Sequence, residues 1–254
     1  MATATSDIAS DDHLEAVACL VHKLRVRDHV SDQEEAILAA AVDRVEDIPA
    51  GRTLVVPDTP LTESILLVSG YTARFKDLSD GQRQITDIHI AGDFIDLHGF
   101  VLKRLEHHIG TLTPIRAAFV PHAAVQRISE QQPHLLRMLW LSTLIDAAIQ
   151  RERLLSLGRR SAVARIAHLL CELYVRLELV KEVDGHSFAL PVTQLDLADA
   201  TGLTSVHVNR MLRQLRDEGM LTFRNGIVDI HDLERLKQAA EFDPTYLFLE
   251  SRPR

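Results

Sequence analysis

The chain of 254 residues contains only two cysteines, Cys19 and Cys171. Two are too few for a disulfide framework or for a four-thiolate iron–sulfur cluster. No uninterrupted apolar run approaches the roughly 18 residues of a spanning helix; the nearest, 135–149, contains Arg137 and Asp146. The opening MATATSDIASDD has neither a basic start nor an apolar stretch, so it does not read as a signal peptide, and residues 1–10 are expected to be disordered. These absences point away from the membrane and toward a cytoplasmic location. Positive charge is also short: 28 Lys and Arg against 36 Asp and Glu give a net charge of −8, the wrong sign for a protein that coats itself in nucleic acid. Among 13 histidines there is no His-x-His pair. The open metal site of a cupin-like enzyme, which needs such a pair, therefore has no counterpart.

What is present suffices for real cores: 46% of the residues are apolar and 25% charged. The length fits one large domain or two small ones. The positive charge is local. Residues 151–165 carry Arg151, Arg153, Arg159, Arg160 and Arg165 against Glu152 alone, and Arg210, Arg213 and Arg216 follow later. This basic charge is expected to face DNA.

Taken in order, 12–27 and 31–43 read as helices, the second opened by Ser31 with Glu34 in capping-box register. From about residue 50 the texture changes to short β-type runs: 52–56, 64–68, 71–76, 82–90, 108–113 and 115–120. Pro57-Asp58, Ser69-Gly70, Asp80-Gly81 and Gly92-Asp93 punctuate them. Many short strands at near-regular spacing predict a sandwich or small jelly-roll barrel. Pro133 opens a helix to about Leu157, which Gly158 is expected to break as a hinge. Along it, Met138, Leu141, Ile145, Ala148 and Leu155 recur at spacings of three and four, a coiled-coil seam broken by Glu152. A second apolar edge runs through Leu136, Leu139 and Ile149. One edge is expected to lie on the barrel and the seam on a partner. A further helix over 162–181 turns Ala164, Ala167, Leu170 and Cys171 inward, and Asp232 caps a last one over 233–241.

Residues 193–219, TQLDLADATGLTSVHVNRMLRQLRDEG, are two helices joined by a tight turn. Thr193 caps the first, with Asp196 in capping-box register, and Leu195, Leu197 and Ala198 form its buried side. Gly202 supplies the positive φ of the turn, and Thr204 caps the second helix. There Val208, Met211, Leu212 and Leu215 fall at i, i+3, i+4 and i+7 as one buried stripe. Ser205, Val206, Asn209, Arg210 and Arg213 occupy the other face near the helix start, the part of a helix-turn-helix that reaches base edges. Residues 221–230, LTFRNGIVDI, are two β-type runs about Asn225-Gly226, a strong hairpin signal. A helix pair followed by a hairpin is a winged helix.

On these residues the stretch 193–230 resembles the winged helix of the CRP/FNR family of bacterial transcription regulators: Thr193-Gln194, Leu197-Ala198, Gly202-Leu203-Thr204, Val208, Arg210, Leu212, Leu215 and Glu218-Gly219. The N-terminal half more loosely resembles that family's sensor barrel. The resemblance implies an α+β architecture: an N-terminal jelly-roll sensor over 1–132, a dimerisation helix over 133–158 and a winged helix-turn-helix domain over 159–254. It implies a non-enzymatic homodimer acting on a palindromic operator in double-stranded DNA, with RNA polymerase as a further partner. Thr193, Thr204, Ser205, Val206, His207, Asn209, Arg210 and Arg213 are the implied DNA-binding residues, and the 138–155 seam the implied dimer interface. Arg210 keeps the arginine that suits a guanine; Val206 replaces a glutamate and suits a thymine methyl; Asn209 replaces a small residue and suits adenine N6/N7.

The resemblance also implies where an effector would sit, and there the chain departs from the family. Gly92-Asp93-Phe94 is present, but the ribose-binding glycine and glutamate correspond to Asp96 and Leu97, and the phosphate-binding Arg-Ser pair to Leu105 and Glu106. A buried phosphate then has no bidentate partner, so cyclic AMP is not expected to bind. Since some regulators of this family sense haem, His89, His98, His107 and His108 leave haem or a metal as the alternative to surface or satisfied core histidines. No cofactor is predicted.

Overall fold

The computed structural model describes residues 10–253, so the disorder expected of 1–10 lies, Ser10 apart, outside the described residues. Two helices come first, α1 (Asp11–Arg25) and α2 (Asp32–Ala40), capped by Ser10 and by the Ser31–Glu34 capping box. Seven strands then form a barrel of two antiparallel sheets. They are β1 (Arg44–Ile48), β2 (Thr53–Val55), β3 (Glu63–Ser69), β4 (Thr72–Asp77), β5 (Arg83–His89), β6 (His108–Thr111) and β7 (Ile115–Pro121). One sheet runs β1-β7-β3 and the other β2-β6-β4-β5. A short helix, α3 (Gly99–Leu102), interrupts the strands, and α4 (His122–Gln131) follows them.

The barrel interior is filled by side chains from both sheets: Val55, Ile65, Leu67, Ile95, Leu105, Ile109, Ile115, Ala117 and Phe119. Helix α5 (Pro133–Arg159) packs along the barrel and leads into α6 (Ala162–Leu179). The C-terminal domain continues with the small hairpin β8 (Val183–Asp184) and β9 (Ser187–Ala189), then α7 (Gln194–Thr201) and α8 (Ser205–Asp217). The second hairpin, β10 (Leu221–Arg224) and β11 (Ile227–Ile230), and α9 (Leu233–Ala240) complete it. The two hairpins join in one antiparallel sheet, β10-β11-β9-β8. Among the described residues no helix is long and apolar enough to cross a membrane.

The domains share a core. Tyr71, Ala73, Ile85, Ile88 and Ile90 of the barrel lie in the same apolar cluster as Ile149 of α5, Leu170 and Leu173 of α6 and Leu197 of α7. At this junction charged groups are buried as well. Glu172 accepts from Arg153 at 2.9 Å, from Arg176 at 3.1 Å and from the Tyr246 hydroxyl at 3.1 Å. Arg176 reaches on to Asp93 at 2.8 Å, which also takes Lys23 of α1 at 2.7 Å. Burial pushes the Asp93 carboxyl up, but Lys23 and Arg176 outweigh it and hold it well below the usual carboxylate range. One ionic cluster thus joins α1, the barrel, α5, α6 and the C-terminal segment.

Three expectations change. Helix α5 is not broken at Gly158: it runs to Arg159, and the chain turns at Arg160, whose backbone is extended, with Ser161 capping α6. Glycine has the torsional freedom to break a helix but also simply continues one when its neighbours are packed. Arg153, Arg160 and Arg165 are engaged inside the chain rather than held out for DNA. Arg153 pairs with Glu172, Arg160 with Glu152, and Arg165 donates to the carbonyls of Thr201, Leu157 and Arg160, so these three tie α5 to the C-terminal domain, while Arg151 and Arg159 stay exposed. The seam on α5 is also reassigned. Met138 and Ala148 are buried in the chain's own cores, and Leu141 and Ile145 pack against those cores. Of the five positions only Leu155 is exposed, and the outward apolar residues are Leu136, Trp140, Leu144, Leu154 and Leu155. Leu139 and Ile149 go inward as expected.

Candidate nucleic-acid interface

Local chemistry fixes the helix pair. At the start of α7, Thr193 Oγ1 accepts from the Asp196 N–H at 3.1 Å, and the Asp196 carboxylate accepts the Thr193 N–H at 2.9 Å and its hydroxyl at 2.6 Å. Gly202 ends the helix at φ +63°, where a Cβ would come within 3.1 Å of Leu157 on α5. Thr204 Oγ1 accepts from the His207 N–H at 3.2 Å and starts α8. Val208, Met211 and Leu215 are buried and Leu212 half-buried, as the spacing predicts. Leu195 departs from prediction: at the second position of α7 it points to solvent, 58% exposed, while Leu197, Ala198 and Ala200 carry the buried face. In the wing, Asn225 and Gly226 both have positive φ, +52° and +74°, which is the type I′ turn that matches strand twist.

The other face of α8 is open. Val206 is 81% exposed, and Asn209, Arg210 and Arg213 stand out beside it, with Ser205 and His207 half-buried. Between this face and the wing lies an open cleft of about 680 Å³ whose lining includes Arg210, Arg213, Arg216 and Arg224 and no acidic residue, Arg216 being paired with Asp217 beside it at 2.9 Å. A cleft lined by one sign of charge concentrates the opposite sign, and this one lies on a protein whose net charge is −8. Of the eight predicted residues, Thr193 and Thr204 spend their side-chain oxygens on caps. Val206, Asn209, Arg210 and Arg213 line the cleft. Gln194 was not among the predicted residues. Its side chain forms a reciprocal amide pair with Asn209: Gln194 Nε2 donates to Asn209 Oδ1 at 2.7 Å, and Asn209 Nδ2 donates back to Gln194 Oε1. In the sequence it is marked only by its place just after a helix cap and by its part in the family resemblance, neither of which specifies the pairing with Asn209.

On the effector side, the cassette positions are built into the barrel. Asp96 is buried and its Oδ1 accepts the Ile65 N–H at 2.7 Å; burial pushes its carboxyl up to about 7. Leu97 and Leu105 are buried apolar, and Glu106 holds His107 at 3.1 Å. His98 and His107 sit 5.6 Å apart, centroid to centroid, and burial pushes His98 down to about 4, so both stay neutral near pH 7. His89 is fully buried beside Thr72 Oγ1, and burial pushes it down to about 3. His108 stacks on Phe75. Among the described residues no group of three His, Cys, Asp or Glu side chains is placed to hold a metal ion.

A capped helix pair, a type I′ wing and an arginine-lined cleft between them define a winged helix-turn-helix DNA-binding protein. Comparison with known proteins narrows this. Residues 164–239 match the Crp-like helix-turn-helix domain. The nitrogen fixation regulation protein FixK of Bradyrhizobium diazoefficiens is 28% identical over 196 residues, 75% of this chain and 79% of that protein. The transcriptional activator protein FnrL of Cereibacter sphaeroides is 25% identical over 216 residues, 84% and 86% of the respective chains. The solved structure of FixK2 from Bradyrhizobium japonicum superposes with a TM-score of 0.71 at 25% identity, covering 77% of this chain and 96% of that one. The chain thus carries a Crp-like helix-turn-helix domain and is similar over most of its length to DNA-binding transcription regulators of the CRP/FNR family.

Proposed function

We propose that the chain acts as a homodimer whose two α8 helices enter the major groove in the two arms of a palindromic operator. The observation that carries the dimer is the unpartnered apolar stripe on α5: Leu136, Trp140 and Leu144, then Leu154 and Leu155. A 27-residue helix is about 40 Å long, and solvent-exposed leucine and tryptophan along one face of it favour a partner. A second copy covers that face by an isologous contact. The same two-fold axis then relates the two reading helices, as operator arms about 34 Å apart require.

On the DNA, Arg210 takes the O6/N7 edge of a guanine, Val206 meets a thymine methyl, and Arg213 and Ser205 hold phosphates. Thr193, Thr204 and His207 set the helix ends against the backbone. The barrel senses a signal other than a cyclic nucleotide, in a cytoplasmic regulator that communicates with RNA polymerase. Leu105 and Glu106 leave the cassette positions themselves without a guanidinium, and the filled barrel supports the same reading. No resident cofactor is assigned.

Sedimentation tests the dimer. Trp140→Glu together with Leu144→Glu places charges in the proposed contact without touching the chain's own cores. The wild type should sediment as a dimer and the double variant as a folded monomer with weakened operator binding. A variant that remains dimeric would remove this stripe as the interface.

A further inference from the structure

The reciprocal amide pair between Gln194 and Asn209 changes what Asn209 can read. A side-chain amide has four hydrogen-bonding positions, two N–H and two lone pairs. Gln194 Nε2 donates to Asn209 Oδ1 at 2.7 Å and Asn209 Nδ2 donates to Gln194 Oε1. A ring of this kind uses the one edge of each amide on which N–H and C=O point the same way. That is the edge with which an asparagine, acting alone, pairs with adenine. Asn209 therefore does not offer it while the pair stands.

The pair has other edges. On each side of the ring, one lone pair of one amide lies beside one N–H of its partner, both directed outward. One side presents the Asn209 Oδ1 acceptor and the Gln194 Nε2 donor, separated by the 2.7 Å of their own hydrogen bond. A donor beside an acceptor at that spacing is complementary to the major-groove edge of adenine, whose N6 donates and whose N7 accepts. Guanine offers two acceptors there, and cytosine and thymine one polar group each. A phosphate, which only accepts, uses half of it. Both residues line the same cleft as Arg210, so the composite edge and the guanidinium face the same groove. We propose that Gln194 and Asn209 act as a two-residue reader of an adenine adjoining the guanine taken by Arg210, with Gln194 a base-contacting residue contributed by the first helix of the pair.

This inference rests on the reading of α8 as the base-contacting helix, and selection from a duplex library with randomised palindromic arms separates the two. Wild-type protein should enrich a guanine with an adenine at an adjoining step in each arm. Gln194→Ala and Asn209→Ala, both at exposed positions, should each flatten the adenine preference on the order of tenfold and leave the guanine. Their double variant should lose little more than either alone, since neither half reads without the other. The slope of affinity against salt should stay unchanged in Gln194→Ala. Three results overturn the composite reader and leave α8 as the reading helix: guanine selected without adenine, adenine preference lost in Asn209→Ala but kept in Gln194→Ala, or Gln194→Ala weakening all sequences equally with a shallower salt slope. Wild-type protein that enriches no sequence overturns both.

Discussion

Removing Glu172 should unfold the junction between barrel and reader. Its carboxylate is 1% exposed and takes three donors: Arg153 from α5, Arg176 one turn along α6, and Tyr246 from the C-terminal segment. In Glu172→Leu, Arg153 keeps only Asp87 at 3.9 Å, and Arg176 keeps Asp93 at 2.8 Å. A buried guanidinium that loses its close partner costs about 3–5 kcal/mol. For a chain of this size each kcal/mol lowers Tm by roughly 2–4 °C, so the drop should be roughly 6–20 °C. Glu172→Gln keeps one acceptor and the shape and should cost about half as much. Arg153→Met combined with Glu172→Leu removes both charges and should recover much of the loss, because replacing a buried ion pair by apolar groups is often neutral. Calorimetry at pH 7 measures these three and Arg153→Met alone. A Glu172→Leu variant within about 1 kcal/mol of wild type, or a double variant losing the sum of both singles, would refute the cluster's structural role.

Two further outcomes follow from single residues. Burial raises the Asp96 carboxyl from its ordinary 3.8 to about 7, so the folded state holds a proton that the unfolded chain releases. Its stabilising contribution is complete below pH 4 and is lost as pH rises toward 7, at about 1.4 kcal/mol per pH unit. Asp96→Asn, a permanent mimic of the neutral form, should flatten that part of the stability–pH curve; an identical slope would contradict it. Gly202→Ala forces a side chain to φ +63° and against Leu157 at 3.1 Å. It should cost about 1–2 kcal/mol from the backbone alone, and urea unfolding within error of wild type would refute the strain.

The reader was legible because its determinants are local. Thr193–Asp196, Gly202, Thr204 and Asn225-Gly226 each act within a few residues, and each adopts the predicted geometry. Leu195 was misplaced because the second position of a helix has no preceding turn to fix its face. Strand β1, with its Arg-Val-Glu-Asp-Ile alternation, and helix α4, which lacks a side-chain cap, gave weak local signals. The seam on α5 failed for a different reason. Spacing identifies apolar edges but not which one the chain itself covers, and here Met138 and Ala148 go inward while Trp140 and Leu144 stay out. The ionic cluster was invisible for the same reason, since Lys23, Asp93 and Arg176 meet only through the tertiary fold. Gln194 pairs with a residue fifteen positions away across the turn, which no local pattern specifies.

Equilibrium binding of Arg210→Ala to the selected operator and to single base-pair variants of it, at several salt concentrations, tests the central claim most directly. If α8 reads the operator through Arg210, the substitution costs about 1–3 kcal/mol on the cognate site, removes preference at one guanine per arm, and leaves the other positions and the salt slope as they were. Equal weakening on every sequence, with a salt slope reduced by about one, would make Arg210 a phosphate clamp and contradict the assignment of α8 as the reading helix.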